Sequence, residues 1–291
     1  MNFLNAEELL DITKKYNISI SDAMIKREVE FLENDYKDTI KNMRKSFDIM
    51  QSSIESSLKN PTKSIGGLIG GEAAKIDKRA RKGKTVCGYH MSKAISYAMG
   101  VLEVNASMGL IVAAPTAGSS GVIPGALFST KEEFDIPEDD VVKVLFNAAA
   151  IGYIITRNAT VAGAEGGCQA EVGTASAMAS SAITELMGGT PEQCLWAAGT
   201  AISNILGLVC DPIAGLVESP CQSRNAMGVA NALISSEIAL CGIEQKIPFD
   251  EIVSAMYEVG RNIPYRLRET SLGGISATPM GCKLKLDIFN N

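Results

Sequence analysis

Three cysteines, Cys168, Cys210 and Cys221, each stand where the sequence predicts the start of a helix. Cys168 follows the glycine-rich turn Gly163-Ala-Glu-Gly-Gly and precedes an alanine-rich run whose small residues favour helix, which puts it in a first turn. Cys210 precedes Asp211-Pro212, an acidic cap followed by the residue best tolerated at the first helical position, and is predicted to lie just before a helix. Cys221 follows Ser219-Pro220, the same signature, and opens an amphipathic run from Gln222 to about Leu240. Unpaired N–H groups and the macrodipole make a helix N-terminus locally positive, which lowers a thiol's pKa and favours bound anions. Two readings stay open: one iron–sulfur cluster on three thiolates, or three buried small apolar side chains. There is no Cys-x-x-Cys pair to favour the first. In a four-iron four-sulfur (4Fe-4S) core with three thiolates, one iron is left without a protein ligand and can act as a Lewis acid on a substrate oxygen.

The elements needed to position these thiols read as helices. Helical spacing of apolar residues runs over 5–16, about 20–58, 91–102, 140–155, 222–240 and 249–262, with Thr190-Pro191 opening a further helical run. The expected fold is all-α: a single helical catalytic domain over 61–291, preceded by an N-terminal helical arm over 1–60 whose Lys and Glu form a solvated face. Two uncharged stretches, 104–130 and 193–210, raise the question of a membrane. The first contains Pro115 and Pro124 among glycines and hydroxyl residues and reads as loop; the second is short and holds Thr200, Ser203 and Asn204. Both read as protein interior, so no membrane association is expected.

With 291 residues and a net charge of −6, the chain is long enough for a sizeable core and lacks the basic balance of nucleic-acid binders. A protein or small-molecule partner is expected instead. Seven cysteines without a signal peptide point to the cytoplasm, and Cys87, Cys194 and Cys241 read as structural. The single histidine, His90, sits beside a Gly-Tyr dipeptide and reads as structural rather than as a catalytic base. Ser64-Ile-Gly-Gly-Leu-Ile-Gly-Gly71 leads into a helix but is not a phosphate loop. A second glycine-rich stretch, Pro115-Thr-Ala-Gly-Ser-Ser-Gly121, can present several N–H and O–H donors to a carboxylate, or be an ordinary loop.

Several long motifs occur in order: Gly163-Ala-Glu-Gly-Gly-Cys-Gln-Ala-Glu-Val-Gly173, Met187-Gly-Gly-Thr-Pro-Glu-Gln193, Asn204-Ile-Leu-Gly-Leu-Val-Cys-Asp-Pro-Ile-Ala-Gly215 and Pro220-Cys-Gln-Ser-Arg-Asn225. From about Ser64 onward the chain resembles the iron–sulfur L-serine dehydratases, and more narrowly the α subunit of the two-subunit bacterial type. The resemblance implies a lyase that converts L-serine to pyruvate and ammonia without pyridoxal phosphate. It also implies a 4Fe-4S cluster on Cys168, Cys210 and Cys221, with one iron lacking a protein thiolate in the active state. Thr116, Gly118, Ser119, Ser120 and Gly121 match the family's substrate loop. The implied partner is a β subunit forming a heterodimer. The family's Ser-Ser-Ser-His-Thr motif belongs to that β portion and is absent here, so the proton-abstracting base is unassigned and the site is expected to be completed by β. Some members cap the open iron with a C-terminal cysteine; Cys282 is the candidate, although nine residues follow it and a free surface thiol is the alternative. Arg224, three residues after Cys221, can balance a cluster's charge or lie on the surface, and Glu165 can orient a ligand or cap a helix. Rival readings are a cluster dehydratase for another small hydroxy acid, a structural metal-binding scaffold subunit and a membrane-associated carrier.

Overall fold

Short polar side chains ahead of apolar runs set the helix starts of this chain, described here from a computed structural model over residues 1–290. The Asn5 side chain accepts from Glu8 N at the start of α1 (Ala6–Tyr16), and Ser19 does the same for Asp22 N at α2 (Ile20–Lys26). The stretch expected to be one long helix from residue 20 is broken. After α2 the chain makes a π turn over Arg27–Phe31, Glu33 takes a left-handed φ of 57°, and Asp35 caps a new helix, α3 (Tyr36–Lys59). Buried Arg27 sits over the Tyr153 ring at 4.0 Å, which anchors this corner.

Next come α4 (Glu72–Ala80), α5 (Gly88–Ala106), α6 (Val122–Glu133), α7 (Glu138–Asn158) and a single turn, α8 (Gly163–Gly166). Then follow α9 (Cys168–Leu186), α10 (Pro191–Ser203), α11 (Cys221–Leu240), α12 (Phe249–Asn262) and α13 (Pro279–Asn290). No strand occurs among the described residues, only one isolated parallel bridge between Cys210 and Arg268. The fold is all-α. Part of the uncharged 104–130 stretch, expected to be loop, is helix α6. Pro124 occupies its third position, where no intrahelical N–H bond is required of it.

Helix α9 is the axis of the core, with α6, α7, α10 and α11 packed around it. It is buried all round, and its Ala, Ser, Thr and Gly residues let neighbouring backbones come close. Most of its buried hydroxyls are answered, as where Ser181 donates to Asn147 Oδ1 at 2.6 Å and Thr184 to Ser180 O at 2.8 Å, while Thr174 Oγ1 has no partner among the described residues. Helix α6 crosses α5 as closely, because a Cβ on Gly125 would stand 2.8 Å from Ala94 O. Phe3, Leu9, Ile20, Phe47 and Ile54 from the first sixty residues join the same hydrophobic cluster as Ile151, Ile183 and Ile202. No helix among the described residues is long and apolar enough to cross a membrane.

Candidate metal centre

Gly167 turns the chain into α9 at φ 75°, and a side chain there would also meet Leu208 O at 2.7 Å, so only glycine fits. Cys168 is thereby the first residue of α9, as predicted. The next residue, Gln169, fastens the 207–208 loop: its N–H donates to Leu208 O at 3.0 Å and its Oε1 accepts from Gly207 N at 2.8 Å. Cys221 is the first residue of α11, also as predicted, although the cap position is held by Pro220 and not by Ser219.

Cys210 departs from expectation. It does not precede an α-helix; it lies on an extended segment bridged to the C-terminal tail, donating its N–H to Leu267 O at 2.9 Å and accepting from Glu269 N at 2.6 Å. Only a single 3-10 turn, Ile213–Gly215, follows Pro212. Asp211 caps no helix because its carboxylate is used elsewhere. It accepts from Arg224 Nη2 at 2.6 Å and from Ile275 N of the tail at 2.7 Å.

The sulfurs of Cys168 and Cys210 and a carboxylate oxygen of Glu171 lie within 4.8 Å of one another. Cys221 is outside that group, yet buried at 6% exposure and close enough to feel the charge of Cys168. A hydrogen bond from the Cys210 thiol and the guanidinium of Arg224 hold Cys168 below the ordinary thiol range. The same hydrogen bond, with burial, pushes Cys210 up; burial and the nearby Cys168 charge push Cys221 up. Arg224 Nη1 stands 3.5 Å from Cys168 Sγ and 2.9 Å from Val209 O, so the cation expected to balance the thiolates does face one of them. Burial raises Glu171 against the opposing hydrogen bond from Thr116.

Gly163 supplies the room. A Cβ there would stand 3.0 Å from Cys210 Sγ, 3.1 Å from Glu171 Oε2 and 3.4 Å from Glu269 Oε2, so the absence of a side chain keeps open the space where a thiol and two carboxylates converge. All seven cysteines are free, and the three candidate ligands are buried. Buried, undisulfided thiols beside a cation are the donor set that suits iron–sulfur ligation, and the residues fit such a group.

The Thr116–Gly121 loop joins this centre through Glu171. Thr116 donates a short hydrogen bond to Glu171 Oε1, Ser119 Oγ lies 3.1 Å from Thr116 Oγ1, and Gly118 packs against the Glu171 carboxylate with no space for a Cβ. Ser120 Oγ is buried, at 1% residue exposure, without a partner among the described residues. Gly121 directs its N–H to Asn225 Oδ1 at 3.0 Å, while Asn225 Nδ2 donates to Gly118 O at 2.8 Å and Cys221 O at 2.9 Å. Asn225 thus staples the loop to α11 one turn beyond Cys221.

Other candidates lie elsewhere. Glu165 accepts from Thr160 Oγ1 at 2.6 Å. His90 contacts Thr130 and the edge of Phe134. Cys282 is exposed on α13 with its thiol toward Ser276 O, outside the Cys168 group. Cys194 is buried as expected of a structural thiol, whereas Cys87 and Cys241 are exposed because they sit at helix ends. The 64–71 loop is tied to the Cys221 shoulder. Glu218 accepts from Ser64 Oγ and Gly66 N, both at 2.6 Å, and from Leu68 N at 3.0 Å. Glu171, Asn225 and Glu269 escaped the sequence reading, and Asp211, expected to cap a helix, pairs with Arg224 instead. Glu171 carried a signal, since a residue three after Cys168 shares its helix face; Glu269 carried none.

The match to known proteins runs through this same region. The serine dehydratase alpha chain family profile matches residues 15–276. The chain belongs to the serine dehydratase alpha chain family. It is 47% identical to the probable L-serine dehydratase, alpha chain, of Bacillus subtilis (strain 168), over 99% of this chain and 95% of that one. It is 44% identical to the L-serine dehydratase, alpha chain, of Peptoniphilus asaccharolyticus, over 98% and 97% respectively. Against the L-serine dehydratase of Streptomyces coelicolor it is 33% identical over 96% of its own length but only 62% of that protein's.

Proposed function

We propose that this chain is the cluster-bearing subunit of an L-serine ammonia-lyase, with a 4Fe-4S cluster held by Cys168, Cys210 and Cys221. The observation that carries the reading is the convergence of buried thiols, Glu171 and the Thr116 loop in a chain that matches an L-serine dehydratase alpha chain over 98% of its length. The chemistry such a cluster supplies is Lewis-acid activation of the β-hydroxyl as a leaving group, through the iron that lacks a protein thiolate. No pyridoxal phosphate is needed.

The rest falls to the protein's own groups. The loop from Thr116 through Gly118, Ser119 and Ser120 to Gly121 receives the substrate carboxylate. With the Gly121 N–H engaged by Asn225, the orphaned Ser120 hydroxyl is a donor still open to a ligand. Arg224 offsets the thiolate charge at Cys168. Loss of the Cα proton and of the β-hydroxyl as water leaves aminoacrylate, which tautomerises and takes up water to give pyruvate and ammonia. The acceptor of the Cα proton comes from a separate β chain, matching the share of the longer Streptomyces protein that this chain leaves uncovered. Residues 1–60 form a helical arm to the catalytic domain, the complex is cytoplasmic, and Cys282 is the one tail thiol available to cap the open iron.

The test is anaerobic reconstitution with iron and sulfide, then pyruvate formation from L-serine with and without the β chain. Activity that requires β, and that Cys168→Ala, Cys210→Ala and Cys221→Ala each abolish with loss of iron, supports the reading. Stoichiometric iron bound without sulfide would instead favour a mononuclear ion on Cys168, Glu171 and Cys210. A fully loaded complex that ignores L-serine but dehydrates another hydroxy acid moves the substrate, not the cluster.

A further inference from the structure

The centre holds more acid than its own cation answers. Arg224 is committed to Asp211 and Cys168, while Glu171 and Glu269 both bring a carboxylate oxygen to the space beside Gly163 and Cys210. Glu171 is spoken for, because its Oε1 accepts from Thr116. The carboxylate of Glu269 has no hydrogen bond or ion pair among the described residues.

Glu269 is also held there deliberately. Its backbone takes a φ of 62°, in the left-handed region that a non-glycine residue adopts at a cost, and its N–H donates to Cys210 O at 2.6 Å. The residue is exposed, so it stands at the mouth of the centre and not within its floor.

We propose that Glu269 receives the α-ammonium of the amino-acid substrate and so sets the preference for an amino acid over the corresponding hydroxy acid. The proposal rests on the amino-acid lyase reading above. An ammonium at Glu269 makes a charge-assisted hydrogen bond and relieves the crowding of like charge around Cys210. The same carboxylate repels the substrate's own carboxylate, which is thereby turned toward the Thr116–Gly121 loop. Glu269 thus contributes orientation as well as affinity.

The experiment uses the reconstituted complex of this chain with its β partner, comparing the parent protein with Glu269→Gln and Glu269→Asp. Three ligands separate the terms: L-serine by turnover, L-alanine by calorimetry as an ammonium-bearing probe without a leaving hydroxyl, and β-hydroxypropionate as a probe without the ammonium. Glu269→Gln is expected to raise KM for L-serine and weaken L-alanine by about 10- to 100-fold, the worth of one hydrogen bond to a charged group. Iron content stays unchanged, β-hydroxypropionate binding does not weaken, and Glu269→Asp recovers part of the loss. Equal weakening of both probes, unaltered L-alanine binding, or loss of iron in Glu269→Gln would each overturn the assignment. Failure of the parent complex to turn over L-serine would sink the functional reading instead, while the L-alanine and β-hydroxypropionate comparison still decides whether Glu269 reads an ammonium.

Discussion

At the scale of single residues, Gly163 shows how an absent side chain can make a site. The point where its Cβ would stand is bounded by Cys210, Glu171 and Glu269. Gly163→Ala should therefore lower the iron bound per chain after reconstitution, while the far-ultraviolet circular dichroism keeps its helical signal. Arg224→Met removes the cation beside Cys168 and leaves the buried Asp211 carboxylate without its ion-pair partner, held only by Ile275 N. It should lower thermal stability, and in the metal-free protein it should raise the pH at which Cys168 reacts with a thiol reagent, because the guanidinium is one of the two groups holding that thiol low. At this scale the sequence was legible where chemistry is local. Cys168 and Cys221 open helices as their flanking residues dictate. Glu269 was not legible, because its place is made by a bridge to Cys210, a residue far away in the chain.

At the scale of elements, the capped start of α10 was written in the sequence, whereas the helix expected after Cys210 does not form and the break after α2 was not announced. Thr190 and Gln193 form a capping box at α10, each side chain accepting from the other's backbone N–H. Thr190→Ala should cost about 1 kcal/mol in urea unfolding without changing the fold. Helix α2 is tied to α7 by the ion pair of Asp22 and Lys143, with Lys143 Nζ at 3.0 Å from one carboxylate oxygen. Burial alone would raise Asp22, but hydrogen bonds from Lys143 and Ser19 outweigh it and hold the carboxyl below the ordinary value of 3.8. A lowered acid stabilises the fold above its unfolded pKa and loses that contribution as the pH falls through the folded one. Asp22→Asn should therefore be less stable than the parent at neutral pH, with the gap narrowing below about pH 4 as the parent carboxyl protonates. The break between α2 and α3 depends on Arg27 finding the Tyr153 ring, a tertiary contact that no local pattern announces.

At the scale of the molecule, the helical class followed from apolar periodicity, and the uncharged runs supply the interior helices α6 and α10 beside α9, with part of the first left as loop. Solvent reaches a set of large apolar side chains near the centre: Ile65, Met108 and Leu110 are 70%, 78% and 71% exposed, and Ile65 N donates to Ala106 O at 3.0 Å, which keeps the two loops together. Met108 holds a left-handed φ of 63° two residues before Leu110, and the Thr116 loop begins shortly after. If, as proposed, a β chain supplies the base, it reaches this neighbourhood, and amide hydrogen exchange over residues 64–68 and 105–112 should slow when β is added. Unchanged exchange there, with slowing on another face, would place the second chain elsewhere.

The bridge between Cys210 and Arg268 bears on the order of assembly during synthesis. A chain emerging from the ribosome presents Cys168, Cys210 and Cys221 well before Leu267, Arg268 and Glu269 exist to lie alongside Cys210. On the proposed cluster reading, iron and sulfide delivered to the nascent chain meet Cys210 before the tail lies along its backbone, whereas delivery after release meets it already paired.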